Sequence, residues 1–133
     1  MHYFLDTNIC IYLIKERSEF LLKKLHAAAA SGVAISSITL AELEYGVQKS
    51  SRIVQNSVSL LRFLALFEIA PFNEEAAREY GIIRTELERR GVPIGNMDLL
   101  IGAHAKSAGA VLVTNNEREF SRIDGLKIEN WAR

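Results

Sequence analysis

Short apolar runs alternate along this chain with longer segments whose apolar residues recur at helical spacing. Strands are predicted at residues 3–5, 33–35, 67–70, 111–113 and 127–128. Helices are predicted over residues 9–15, 18–30, 39–49, 52–66, 74–90, 98–108 and 117–120. Because strands and helices alternate throughout, the pattern predicts an α/β fold with a central parallel sheet flanked by helices.

Polar residues mark the expected helix starts. Thr7 or Asn8 is expected to cap the first helix, and Asn73 the helix that follows residue 73. Thr39 is expected to open the third helix, and Thr39-x-x-Glu42 fits a capping box, in which the Glu side chain returns to the cap's own N–H.

Length and composition predict one intracellular domain spanning residues 1–133. Cys10 is the only cysteine, so a disulfide within the chain is excluded and a cytoplasmic location is expected. We expect no signal peptide, because Asp6 comes too early, and no membrane span, because no uncharged apolar stretch reaches the ~20 residues required. The formal net charge is zero, so contact with nucleic acid would depend on local patches or on a bound cation.

Four acids, Asp6, Glu42, Asp98 and Glu119, lie at or just after predicted changes from strand to helix. In a parallel sheet these places share the edge beyond the carboxyl ends of the strands, where ligands bind. Carboxylates gathered there raise each other's pKa, and a hard divalent cation such as Mg²⁺ relieves the repulsion. The four acids together therefore indicate a metal site.

Each acid also has a structural interpretation. Asp6 could cap a helix, although Thr7 and Asn8 could do this instead. Glu42 could complete the capping box, and Asp98, in a first turn, gains ~0.3–1 kcal/mol from the helix dipole. Glu119 could belong to a solvated turn. The site hypothesis depends on the four acids as a group.

Four motifs resemble the PIN-domain nucleases, and more narrowly the VapC toxins of toxin–antitoxin pairs. They are Leu-Asp-Thr-Asn at residues 5–8, Ser-x-Thr-x-x-Glu-Leu-x-x-Gly at 37–46, Pro-Ile-Gly-x-x-Asp at 93–98 and Thr-Asn-Asn at 114–116. The likeness extends from about Tyr3 to Trp131. It implies a PIN-like three-layer fold and an endoribonuclease that depends on Mg²⁺ or Mn²⁺.

Carried over residue by residue, the resemblance assigns metal binding to Asp6, Glu42 and Asp98. It assigns supporting or positioning roles to Thr7, Asn8 and Thr114. It also implies a homodimer neutralised by a VapB-type antitoxin. The segment at residues 114–120 resembles VapC toxins that cut initiator tRNA in its anticodon loop.

The chain departs from the family pattern at one position. Many PIN domains have a fourth acid two residues after the Thr, where this chain has Asn116. Glu119 lies three residues further on, one helical turn away, and is the candidate fourth ligand. Asn116 is then expected to orient a neighbouring acid.

Other interpretations remain open from the residues alone. A haloacid-dehalogenase-like phosphatase also begins with an Asp at the end of a strand, but it needs a second Asp where Asn8 stands. A receiver domain needs a Lys after a late strand, and residues 114–116 contain none. A PIN-like module without catalysis that binds RNA or protein is the alternative of a different class.

Overall fold

The central sheet consists of parallel strands. The structure, a computed structural model, describes residues 2–16 and 18–131, and its strands are β1 (Tyr3–Leu5), β2 (Val33–Ser36), β3 (Glu68–Ala70), β4 (Val111–Val113) and β5 (Lys127–Glu129). Every paired neighbour is parallel, and the order across the sheet is β3-β2-β1-β4-β5. The predicted parallel sheet is confirmed.

Helices connect the strands and cover the sheet. They are α1 (Thr7–Glu16), α2 (Glu19–Ala28), α3 (Ser37–Gln48), α4 (Ile53–Leu64), α5 (Glu74–Arg89), α6 (Asn96–Ser107) and α7 (Glu117–Phe120). A short 3-10 turn, Ala29–Ser31, follows α2 and ends at Gly32, whose φ of 93° suits glycine. All the predicted helices are present; the bounds of α7 are as predicted, and the other helices have one or both ends shifted. Within the described ranges, no helix has the length and apolar character required to cross a membrane.

The sheet has an apolar core on both faces, which gives the molecule three layers. Successive strand residues point to opposite faces. Phe4, Ala34 and Leu112 pack with residues of α5 and α6. Leu5, Ile35 and Val113 pack with residues of α1, α2, α3 and α4. Burial on both faces explains why the central strands β1, β2 and β4 are mostly apolar, and each large buried side chain contributes about 1.5–3 kcal/mol. The predicted three-layer α/β fold is confirmed.

The strand order creates a switch point between β1 and β4. From β1 the chain passes to β2 on one side, and later returns to place β4 on the other side. The Asp6 amide donates to the Val113 carbonyl at 3.0 Å, so the two strand ends are joined at this crevice. Ligands of open α/β sheets bind at such a point, beyond the carboxyl ends of the strands.

Two predicted helix starts are wrong. The Asp6 Oδ1 atom accepts from the Ile9 amide at 2.9 Å, so Asp6 caps α1 in place of Thr7 or Asn8. Ser36 caps α3, where its Oγ accepts from the Ile38 amide at 3.1 Å. The predicted cap at Asn73 is confirmed, since its Oδ1 accepts from the Ala76 amide at 3.0 Å.

Candidate active site

Asp6 occupies the switch point and is almost fully buried, with 3% of its surface exposed. Besides the Ile9 amide on Oδ1, its Oδ2 accepts a hydrogen bond from the Thr114 hydroxyl at 2.5 Å. The Thr114 Oγ1 in turn accepts from the Asn116 amide at 2.9 Å, which leaves its O–H directed at Asp6. Burial raises the pKa of Asp6, the bonds from Thr114 and Ile9 lower it, and the charge of Glu42 raises it further.

Glu42 lies on α3, one and a half turns from its start, and faces α1. Its Oε1 accepts from the Thr7 hydroxyl at 2.6 Å, a contact across 35 residues of sequence. The predicted capping box is therefore wrong. Because α3 begins at Ser37, Thr39 lies inside the helix, fully buried, and Glu42 is too far along to reach the cap amide. The carboxylate is instead fixed beside the N-terminal turn that follows Asp6.

Asp98 lies in the first turn of α6, as predicted, and is partly buried. The Asn116 carboxamide donates to its Oδ2 at 3.3 Å. Burial, followed by the charges of Glu119, Asp6 and Glu42, raises the pKa of Asp98 to about 6, against the bond from Asn116 that lowers it. The other three acids therefore act on one carboxyl group, which brings all four into a single electrostatic cluster.

Glu119 is placed beside Asp98 by the short helix α7. Among the neighbouring charges, Glu119 raises the pKa of Asp98 more than Asp6 or Glu42 does. Asn116 supplies a hydrogen-bond donor to Asp98. Asn8 is exposed, and in the described ranges its side chain forms no hydrogen bond to any acid of the cluster. The structure thus brings together seven of the eight predicted residues through direct bonds or charges.

Ion pairs of the described residues leave this cluster without a basic partner. Within residues 2–16 and 18–131, the ion pairs join Arg78 to Glu74, Arg84 to Glu88, Arg90 to Asp124 and Lys106 to Glu79, all outside the cluster. The same residues contain no group of three His, Cys, Asp or Glu side chains close enough to ligate one ion together. One or two carboxylates of the cluster would suit Mg²⁺ or Mn²⁺, because Mg²⁺ needs only one or two direct carboxylates and keeps several waters.

The chain matches a known family over almost its whole length. A family model described as "PIN domain" matches residues 3–126. The chain belongs to the PIN-domain family. This confirms the resemblance seen in the motifs.

This PIN domain is similar over its full length to proteins named as VapC ribonucleases. It is 49% identical to "Ribonuclease VapC2" of Rickettsia felis, with 100% of both chains covered. It is 43% identical to the "tRNA(fMet)-specific endonuclease VapC" of Salmonella typhimurium, with 99% of both chains covered. The narrower resemblance to VapC toxins is confirmed as well.

Solved structures share the fold of this PIN domain closely. The TM-score is 0.95 against VapBC2 from Rickettsia felis bound to a DNA fragment from their promoter, at 48% identity and with 98% of this chain and 99% of that chain covered. It is also 0.95 against DNA-bound VapBC from Salmonella typhimurium, at 42% identity and with 99% of both chains covered. Both structures are VapBC complexes.

Proposed function

We propose that this PIN domain is a divalent-metal-dependent endoribonuclease toxin that cuts initiator tRNA in its anticodon loop. The observation that carries the proposal is the cluster of Asp6, Glu42, Asp98 and Glu119 at the switch point, which no basic side chain of the described residues neutralises. The choice of tRNA is supported by the 43% identity to a tRNA(fMet)-specific endonuclease. The same likeness supports a single PIN domain working in the cytoplasm, where tRNA is found.

Asp6 and Asp98 are the proposed direct metal ligands, with Glu42 and Glu119 acting on the water shell. A bound Mg²⁺ or Mn²⁺ would acidify an attacking water and offset the charge that develops on the phosphate. The chain fixes its own carboxylates in advance. Thr114 and the Ile9 amide hold Asp6, and other hydrogen bonds hold Glu42 and Asp98.

Thr7 and Asn116 are the proposed positioning residues of Glu42 and Asp98. Thr7 donates to one oxygen of Glu42 and Asn116 to one oxygen of Asp98. Each bond leaves the second oxygen of the carboxylate available to a metal ion or to water. Glu42 and Glu119 are the proposed acids that orient the attacking water and accept its proton.

The absence of net positive charge supports recognition of a structured RNA over general RNA binding. With 16 basic and 16 acidic residues, the chain lacks the phosphate-binding charge that drives non-specific affinity. Proteins that read RNA sequence usually target unstacked loop bases, and an anticodon loop presents them.

A VapB-type antitoxin and a second copy of the chain are the proposed partners. An apolar groove of about 360 Å³ lies between α1, α3 and α4, with Glu42 among its lining residues, which suits an antitoxin segment that ends at the acids. On α4, Val54 is 80% exposed and Leu61 is 71% exposed, and these residues suit a homodimer contact. The VapBC complexes of similar proteins support the antitoxin.

The decisive experiment is incubation of the purified chain with a panel of tRNAs and Mg²⁺, with every cut mapped by primer extension. We expect one cut, in the anticodon loop of initiator tRNA, and none with Asp6→Asn. Cleavage in excess chelator, or digestion of all tRNAs alike, would overturn the proposal. Metal binding without any cleavage would favour the non-catalytic RNA- or protein-binding module.

A further inference from the structure

A buried histidine joins the two helices that carry Glu42 and Asp98. His104 lies on α6, almost two turns after Asp98, and its Nδ1 is 2.8 Å from the Ser36 Oγ at the start of α3. Both side chains are buried, with 3% of His104 and 1% of Ser36 exposed. This contact spans 68 residues of sequence and connects β2, α3 and α6 directly behind the candidate active site.

The contact between Ser36 and His104 belongs to a larger junction. The Ser36 Oγ, 2.8 Å from the His104 Nδ1, also accepts from the Ile38 amide at 3.1 Å. Burial lowers the pKa of His104, and a backbone hydrogen bond with Pro71, the smaller effect, raises it. These contacts link the first turn of α3, through Ser36 and His104, to the loop after β3.

A second bond reinforces the same junction. The Phe72 amide donates to the Ser37 Oγ at 3.0 Å, so adjacent residues of the loop after β3 hold both α6 and α3. The rings of Phe4 and Phe72 pack edge-on against His104, with centroids 4.9 and 5.4 Å away. Because His104 and Ser36 are both buried, a polar group left unpaired on either would cost about 1–3 kcal/mol.

We propose that His104 is a positioning residue: through Ser36 it sets the start of α3 against α6, and so holds Glu42 and Asp98 at the spacing that metal binding and RNA cleavage require. The consequence for cleavage rests on the proposed function. Because a helix is stiff, a shift at the start of α3 also displaces Glu42. Residues that orient metal ligands without contacting the metal typically contribute 10–100-fold to metal affinity or activity.

Two substitutions separate hydrogen bonding from packing. His104→Phe keeps a ring against Phe4 and Phe72 but removes the hydrogen-bond partner of Ser36. His104→Asn loses the ring but places a carboxamide, which can donate or accept a hydrogen bond, near the position of Nδ1. If positioning is the role, His104→Phe lowers Mn²⁺ affinity and turnover about tenfold, whereas His104→Asn retains most of both although it unfolds more easily.

The measurements are Mn²⁺ affinity by electron paramagnetic resonance, cleavage of initiator tRNA at saturating metal, and urea unfolding in chelator. If activity follows stability, so that His104→Asn is the poorer enzyme and the weaker Mn²⁺ binder, the inference is overturned and the role of His104 is packing alone.

Ser36→Ala, a smaller change, provides a second test. It should weaken Mn²⁺ binding as His104→Phe does, and the double variant should be no weaker than the single ones. Full additivity would contradict the bridge.

The proposed function and this inference fail in different ways. A wild-type chain that binds Mn²⁺ but cuts no tRNA would remove the proposed function alone. The role of His104 would then be decided by the Mn²⁺ affinities of the three variants.

Discussion

Replacing Asp98 with Asn should stabilise the metal-free protein while it abolishes cleavage. Asp98 carries a charge that burial and three neighbouring acids disfavour, so its pKa is raised to about 6 from an ordinary value of 3.8. At neutral pH the folded chain must ionise this group in an unfavourable place, whereas the unfolded chain does not. Asn removes the charge and can still accept a hydrogen bond from the Asn116 carboxamide.

The expected gain is about 1 kcal/mol. A shift from 3.8 to about 6 is roughly 2 pKa units, or about 3 kcal/mol at 1.36 kcal/mol per unit. Asp98 is only partly buried, and solvent screening reduces this to on the order of 1–2 kcal/mol. Loss of a carboxylate from the first turn of α6 subtracts ~0.3–1 kcal/mol of dipole stabilisation. What remains is small, yet measurable by denaturation.

The gain should depend on pH in a defined direction. Because the folded pKa of Asp98 lies above the unfolded value, the penalty is complete above pH 6, where both states ionise, and absent below 3.8, where neither does. Urea unfolding in chelator should therefore favour Asp98→Asn at pH 7.5 and show a smaller difference at pH 5. Added Mg²⁺ should reverse the order by stabilising the wild type alone.

A matched control is Glu75→Gln, which removes an exposed acid from the first turn of α5, away from the cluster. It should be neutral or slightly destabilising, with no reversal by Mg²⁺. If Asp98→Asn unfolds more easily than the wild type at pH 7.5 in chelator, or if its gain is the same at pH 5, then the cluster does not repel as inferred.

Three further expectations follow from the site and the surface. Asp6→Asn should lower cleavage by more than ~100-fold, since several kcal/mol of charge stabilisation are lost, and cleavage that survives in excess chelator would contradict this. Glu119→Gln should weaken metal binding and turnover about tenfold, and Asn116→Ala should weaken them less. If Glu119→Gln is fully active at limiting Mg²⁺ while Asn116→Ala is inactive, Asn116 and not Glu119 is the fourth residue of the metal site. Leu61→Glu, on the exposed face of α4, should give a monomer by light scattering, whereas a wild type that is monomeric at high concentration would remove the proposed dimer.

Local sequence patterns predicted the central strands β1, β2 and β4 because these strands are largely buried and read as nearly uninterrupted apolar runs. Val111–Val113 is such a run, fully buried, and its position was predicted without error. The acids were predicted to lie at one edge of the sheet because parallel strands bring their carboxyl ends together there. The position of Asp98 in the first turn of a helix was predictable from the loop before it and from the helical spacing after it.

Partners distant in sequence were not predictable from local patterns. Glu42 bonds Thr7 across 35 residues, and His104 bonds Ser36 across 68. The i, i+3 spacing of Thr39 and Glu42 imitates a capping box, but Ser36 takes the cap and starts the helix earlier. A capping motif fixes a spacing and leaves open which of several polar residues begins the helix. Three closely spaced candidates, Ser36, Ser37 and Thr39, made this start ambiguous.

Asp6 shows that capping and site chemistry are compatible in one side chain. From the sequence, a helix cap and a metal ligand are competing interpretations of Asp6. In the structure, one of its carboxylate oxygens caps α1 while the other accepts a hydrogen bond from the Thr114 hydroxyl. Both bonds favour the anion and act against the burial that raises its pKa. Asp98 has one long bond from Asn116 and three acidic neighbours, and its pKa rises to about 6. The two bonds therefore offset part of the effect of burial on Asp6, whereas full ionisation of Asp98 near neutral pH gains most from a cation. It follows that Asp98 is the acid whose removal should separate folding from metal binding most clearly.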